Sequence, residues 1–325
     1  MKQSNIPSAQ LVVNACKANG IQNIVISPGS RNAPLTLSFA ENPFFSCFSI
    51  IDERSAAFFA LGMALEQQKP VAVVCTSGSA LLNYYPAIAE AFYSTIPLVV
   101  ISADRPPYKI DVGDGQTIRQ DHVFHRHIGY SANLKLDVSH ATERIKRYKP
   151  DLLNQNQAEV DGYNQKEVIS AMDCVLRKHL PVHINIPFEE PLYGTSEIIL
   201  ENDFGLQVKE TVAEHQQLEL TKYQQLWENA SKKMVLVGVN YPATIDTEVL
   251  HQLANDPSII VMTETTSNLH HPNFFPSIDS IIFPIEKSSD KQVLFEALRP
   301  QILLTFGGLV VSKKVKAFLR QHQPD

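Results

Sequence analysis

The sequence predicts a doubly wound α/β fold, a parallel sheet with helices on both faces, followed by a second, Rossmann-like α/β domain. Three observations predict it. Short, nearly continuous apolar runs such as VAVVC and PLVVIS lack the alternation of a half-exposed strand. Longer amphipathic stretches separate them, as crossover helices would. The polar, glycine- and proline-marked loops fall where strands end and helices begin, the usual ligand side of such a sheet.

Taken in order, strands are expected at 23–27, 47–51, 71–76, 97–102 and 182–186, each short, apolar and rich in Val and Ile. Helices are expected at 8–19, 34–41, 54–67, 79–93 and 166–179, where the apolar period lengthens. Residues 141–165 are polar and poor in large apolar side chains, and read as an excursion outside the core. These elements define a first domain, 1–194. Residues 195–222 carry Glu, Gln and Thr without turn regularity and read as a linker. The second domain, 223–325, repeats the pattern. It has strands at 234–240, 258–264 and 301–308, helices at 244–255, 290–299 and 312–321, and the apolar run IDSIIF at 278–283. It supplies fewer strands than a doubly wound domain usually has, so it reads as incomplete.

With 325 residues, 44% of them hydrophobic, the chain can bury two ordinary cores. A net charge of −6 and the lack of a basic run argue against nucleic acid. Acidic ligands are then held only by local arginines, lysines or helix N-termini. Cys16, Cys47, Cys75 and Cys174 form no C-x-x-C pair, which suggests reduced thiols in a cytoplasmic protein. No signal-peptide pattern and no membrane-length apolar run is present.

Four loops carry the candidate chemistry. In SPGSRNAP, Ser30 and Arg31 precede a helix opened by Pro34, and arginine offers a planar fork that matches a carboxylate. In IDERS, Glu53 stands at a helix start within apolar surroundings. Desolvation would raise its pKa and the helix N-terminus would lower it, a balance suited to sharing a proton. In TSGSALLN, Ser77, Gly78 and Ser79 let the backbone approach a ligand, with Asn83 one turn on. In SADRPP, Arg105 is held by two prolines. Each loop also has a plain structural reading, as a capped turn or an acidic first turn. Gly113-Asp114-Gly115 mimics a metal–diphosphate motif, but no apolar strand precedes it and Asn133 falls too early. The histidines at 122, 125 and 127 lack partners at zinc-ligand spacing.

Together SPGSRNAPL, IDERSAAFFALG, TSGSALLNYYPAIAEA, SADRPP, QTIRQ and HINIPFEEPLYG resemble, in this order, the N-terminal part of the 2-succinyl-5-enolpyruvyl-6-hydroxy-3-cyclohexene-1-carboxylate synthase family. These are thiamine diphosphate-dependent enzymes of menaquinone biosynthesis. The resemblance implies that the first domain is the pyrimidine-binding domain and the second a truncated middle domain. The diphosphate-binding domain, with its Mg²⁺ or Mn²⁺ ligands, would be absent, so no metal site is expected here. Glu53 would bond the cofactor's aminopyrimidine, with Ser77, Gly78, Ser79 and Asn83 beside the cofactor. Ser30, Arg31, Arg105 and Gln116 would hold carboxylate substrates, and Lys313 and Lys314 would add anion contacts. Gly115 stands where relatives often have Asn. The implied reaction decarboxylates 2-oxoglutarate and adds the succinyl-semialdehyde carbanion to isochorismate, in a homodimer or homotetramer. A sibling thiamine diphosphate enzyme, or a module with no catalysis of its own, remains open at this point.

Overall fold

Val71–Cys75 is buried at every position, which a strand achieves only when both faces of its sheet are covered. In the computed structural model this strand lies in a six-stranded, all-parallel sheet. The structure describes residues 2–197 and 220–324. The chain divides into two units, Met1–Thr211 and Val212–Asp325.

In the first unit the sheet strands are β2 (Asn23–Ile26), β3 (Ser46–Ser49), β4 (Val71–Cys75), β5 (Leu98–Asp104), β6 (Tyr130–Asn133) and β7 (Val182–Pro187). A separate antiparallel pair joins β1 (Gln3–Ser4) to β8 (Thr195–Ser196). The sheet order is β3-β2-β4-β5-β7-β6. From β2 the chain steps to β3 on one side, then crosses to β4 on the other. The carboxyl ends of β2 and β4 therefore flank the switch point where such sheets open a crevice.

Helices α1 (Pro7–Ala18), α2 (Ala33–Ala40) and α7 (Gln157–Lys178) build one core. Helices α3 (Glu53–Gln67), α4 (Ser79–Asn83) and α5 (Tyr85–Tyr93) build the other. Strand β2 shows the division: Ile24 and Ile26 enter the first core and Val25 the second, as a two-residue side-chain period requires. On α3, Ala56, Ala57, Ala60 and Ala64 are wholly buried, and their small side chains let the helix lie close to the sheet.

Several expectations are corrected. The stretch 79–93 is two helices with the fully buried Tyr84 between them. Pro86 lies in the first turn of α5, where proline starts a helix more readily than it continues one. The stretch 141–165 is no excursion. It contains α6 (Thr142–Tyr148), whose Ile145 is buried, and the start of α7. Asn156 caps α7 by accepting the Glu159 N–H at 3.0 Å, and the Glu159 carboxylate accepts the Asn156 N–H at 2.9 Å. This capping box fixes the helix start nine residues before the predicted 166. The edge strand β6 was not expected, because Tyr-Ser-Ala-Asn carries little apolar signal. In the expected linker, Thr195–Ser196 pairs with the N-terminus, and residues 198–219 lie outside the described residues.

In the second unit, β9 (Lys233–Val237) lies between β10 (Ile259–Met262) and β11 (Ile302–Phe306), all parallel. Helices α8 (Thr221–Asn229) and α9 (Thr247–Asn255) occur on the chain before β10. Trp227 and Leu250 from them pack with Val235 and Val237. Helices α10 (Ile278–Lys287), α11 (Lys291–Leu298) and α12 (Lys313–Gln321) contribute Ile278, Ile282, Phe295, Val315 and Phe318 to the opposite core. The IDSIIF run is thus the first part of α10, and α8 lies across the expected linker boundary.

Candidate active site

The switch point gathers loops from four strand ends, and two glycines lock them together. A side chain on Gly29 would place its Cβ 2.5 Å from that of Thr76, so the loops after β2 and β4 touch there. Gly78 has φ +85° and ψ −142°, and a Cβ there would lie 3.0 Å from the Gln116 carbonyl oxygen. That joins the loop after β4 to the loop 113–120. Gly78→Ala should destabilise the first unit by about 1–3 kcal/mol, the usual cost of a side chain in this backbone region. Chemical denaturation of wild type and variant reads it directly.

Gln120 completes the lock. It is buried, its Oε1 accepts the Gly78 N–H at 2.8 Å, and its Nε2 donates to Asn185 Oδ1 at 2.9 Å and the Ala103 carbonyl at 3.1 Å. Ser102 Oγ donates to Asn185 Oδ1 at 2.7 Å and lies 2.8 Å from His183 Nε2. Asn185 Nδ2 in turn donates to Asp104 Oδ2 at 2.8 Å. Burial pushes Asp104 up to about 6, against the pull of the Asn185 and Arg105 hydrogen bonds. Burial, with a smaller effect from His122, pulls His183 down to about 3.

His183 therefore stays neutral in the folded state, while the unfolded chain takes up a proton near pH 6.5. Its contribution is fully present above pH 6.5 and is lost as the pH falls from there towards 3. Asp104 has the opposite sign between its ordinary 3.8 and 6, so the two mask each other in the wild type. The stability difference between wild type and His183→Gln isolates the histidine. It should shrink by up to about 1.4 kcal/mol per pH unit on acidification below 6.5, measured by denaturant titrations across pH.

Glu53 is the first residue of α3. Asp52, not Glu53, caps that helix by accepting the Ser55 N–H at 2.8 Å, so the Glu53 carboxylate has no capping duty. Behind it, Tyr84 donates to Ser27 Oγ at 3.3 Å. Burial, with the nearby Cys75 thiol and Glu53 carboxylate, holds Tyr84 well above the usual phenol range. The expected apolar niche is only half present. Glu53 is partly exposed, and Ile51, Phe58 and Phe59 beside it face solvent in this chain. Ser77 is buried, with an Oγ that has no partner; Gly78 is buried; Ser79 and Asn83 are exposed, and Asn83 Nδ2 donates to the Ser79 carbonyl at 3.0 Å.

Arg31 is only 5% exposed. Its Nη1 donates to the Phe188 carbonyl at 3.0 Å and its Nη2 pairs with Glu190 Oε1 at 3.2 Å. Burial, then repulsion from Arg105, lowers its pKa. Arg105 donates to the Gly115 carbonyl at 3.0 Å. The Nε atoms of both arginines are buried and unpartnered. Two guanidinium groups that repel each other, each with a buried and unpartnered Nε, have donor chemistry suited to a carboxylate. Arg105, Gln120, Asn133 and Asn185 line a cavity of about 380 Å³, which Arg31 and Gln116 do not line. Ser30 and Gln116 are exposed, Gln116 with φ +54°.

In the second unit, Lys313 is exposed and Lys314 pairs with Glu286, 5.1 Å above the Phe283 ring. The basic pair is thus split, one lysine already neutralised. Asp114 accepts the Gly115 N–H at 3.0 Å, so Gly-Asp-Gly is an ordinary turn. His127 bonds the Tyr85 hydroxyl at 3.0 Å. Among the described residues no cluster of three or more His, Cys, Asp or Glu would hold a metal ion. Among them, too, no helix is long and apolar enough to cross a membrane. All four cysteines are free thiols, with Cys47 exposed.

Sequence reasoning assigned no role to Gln120, His183, Asn185, Glu189, Glu190 or Arg144, although QTIRQ and HINIPFEEPLYG held most of them. A buried His or Asn within an apolar strand was the available signal.

Residues 7–128 match the family model described as thiamine pyrophosphate enzyme, N-terminal TPP binding domain. Over 326 residues the chain is 53% identical to the 2-succinyl-5-enolpyruvyl-6-hydroxy-3-cyclohexene-1-carboxylate synthase of Christiangramia forsetii, with 100% of this chain and 56% of that protein covered. The synthase of the same name from Flavobacterium johnsoniae is 51% identical over 323 residues, 98% of this chain and 53% of its own length. That of Porphyromonas gingivalis is 34% identical over 334 residues, 99% and 52%. The chain spans about half the length of the curated relatives it matches.

Proposed function

Since this chain carries the N-terminal TPP binding domain of thiamine pyrophosphate enzymes and is similar throughout to the synthases named above, we propose that it forms the pyrimidine-binding side of a 2-succinyl-5-enolpyruvyl-6-hydroxy-3-cyclohexene-1-carboxylate synthase. The observation that carries this reading is the pair of arginines, Arg31 and Arg105, with free Nε edges at the switch point that also holds Glu53. The reaction proposed is decarboxylation of 2-oxoglutarate and transfer of its four-carbon remainder to isochorismate, both carboxylate substrates.

The donor set fits thiamine diphosphate. The buried, unpartnered Ser77 hydroxyl and the Gly78 backbone lie on the loop after β4, and the uncapped Glu53 carboxylate lies across the switch point. When bound, the cofactor supplies an electron sink for breaking and making a carbon–carbon bond beside a carbonyl. Glu53 would hold and return a proton at its carboxylate oxygen. Ser77, Gly78, Ser79 and Asn83 would border the cofactor. Arg31 and Arg105 would orient substrate carboxylates, with Ser30 and Gln116 at the open rim; in the second unit Lys313 would offer an anion contact, and Lys314 would do so only on release from Glu286. We place the Mg²⁺ or Mn²⁺ that accompanies the diphosphate on a further domain, required for activity. Ile51, Phe58, Phe59, Leu82 and Tyr93 are exposed apolar side chains of the α3–α5 side. They support a homodimer or homotetramer, in which a second copy would close the niche around Glu53. The proposed setting is the cytoplasm.

The test is an assay of the complete protein with thiamine diphosphate and Mg²⁺. Consumption of 2-oxoglutarate that depends on isochorismate, with pyruvate inactive, is the expected result. Turnover of pyruvate instead would favour a sibling decarboxylase or synthase, and no turnover at all would favour a non-catalytic module.

A further inference from the structure

Glu189 and Glu190 lie just beyond β7 and organise cations from three distant parts of the first unit. Glu189 is wholly buried. Its Oε1 accepts from Lys109 Nζ at 3.1 Å, Arg144 Nη1 at 3.1 Å and the Glu190 N–H at 2.9 Å, and its Oε2 accepts the Tyr108 hydroxyl. Glu190 bridges two arginines: Oε1 takes Arg31 Nη2 at 3.2 Å and Oε2 takes Arg144 Nη1 at 2.9 Å. Tyr148, at the end of α6, stacks on Tyr108 at 5.9 Å between ring centres. A chain of charged groups therefore runs from the buried Glu189 through Arg144 and Glu190 to Arg31. Its far end, the Arg31 Nε, is unpartnered.

We propose that Glu190 and Arg144 are positioning residues for Arg31, fixing its guanidinium so that the unpaired edge is presented to a substrate carboxylate. This rests on the reading of Arg31 as a carboxylate anchor and adds what holds that anchor in place. Two effects of Glu190 compete. Its negative charge repels an incoming carboxylate, and its hydrogen bond orients the arginine that receives it. The Glu190 side chain is 43% exposed, so solvent screens the repulsion. The orienting bond acts on an arginine only 5% exposed, where a misdirected fork has no water to compensate it. Orientation wins. Arg144 contributes by holding the other oxygen of Glu190, and Glu189 anchors Arg144 from the protein interior. Arg144 is itself about half exposed, and the buried Glu189 keeps Lys109, Tyr108 and the Glu190 N–H as partners, so the loss of Arg144 removes little stability.

The experiment uses the complete enzyme with Arg31→Ala, Glu190→Gln, Arg144→Ala, Arg144→Lys and the double variant Glu190→Gln/Arg144→Ala. Steady-state constants for 2-oxoglutarate and isochorismate are measured separately, together with melting temperature and calorimetric affinity for succinate, a non-reacting dicarboxylate. Glu190→Gln and Arg144→Ala should each raise KM for one carboxylate substrate about fivefold to tenfold, in line with loss of a charge-assisted bond. In both, kcat and melting temperature should stay near wild type. Arg144→Lys should recover part of the loss. The double variant should be no worse than the more affected single one, because both act through Arg31. If Arg31→Ala raises KM but the Glu190 and Arg144 variants leave it unchanged, lower it or add independently, the positioning role is wrong. If Arg31→Ala itself changes neither KM nor succinate affinity, the carboxylate anchor is wrong.

Discussion

Glu53→Gln in the complete protein should lower turnover by about 10²- to 10⁴-fold, the usual range for loss of an acid–base group, while the fold survives. Glutamine keeps the size and position of the side chain but cannot hold the shared proton. The helix start does not depend on it, since Asp52 caps α3. The melting temperature should therefore match wild type, which separates a chemical defect from a folding one. Asp52→Asn is the paired control. It touches the cap and should change stability slightly, with turnover kept. A Glu53→Gln enzyme with wild-type turnover would remove Glu53 from the chemistry.

Arg31→Ala should raise KM for a carboxylate substrate by about 10- to 100-fold, the worth of one or two hydrogen bonds to a charged group. The change also leaves the Phe188 carbonyl without its donor and releases Glu190 to Arg144 alone. Arg31→Lys should fall between, because a lysine restores charge but not the planar fork. Kinetics on 2-oxoglutarate and isochorismate in turn would assign Arg31 to one of them. Unchanged constants for both would refute the carboxylate role.

The apolar strands were legible because a two-sided sheet needs continuous burial. Val71–Cys75 and Val182–Pro187 are buried throughout, and their runs stand out against polar flanks. Arg31, Ser77 and Arg105 were legible because each follows such a strand, whereas Glu53 follows the largely exposed edge strand β3 and was legible from the helix start it occupies. What escaped notice depended on tertiary partners. Strand β6 is held by β7 rather than by its own composition. The first turns of α7 expose Ala158, Glu159 and Gly162 and bury only Val160 and Asn164, too sparse an apolar stripe to stand out in sequence. Glu190 and Arg31 are 159 positions apart, and no local pattern joins them. The niche around Glu53 is only half formed because the apolar side chains near it in sequence, Phe58 and Phe59, remain partly exposed in this chain, although Phe59 packs against Phe48 of β3.

The Gly78 amide has a further consequence. Its proton is held by a side chain that also grips the ends of β5 and β7, so it cannot meet solvent through local fraying of its own turn. In deuterated buffer it should exchange in step with amides at the ends of those two strands, at one shared opening free energy. The cleft would then behave as a single cooperative unit, opening and closing as one body.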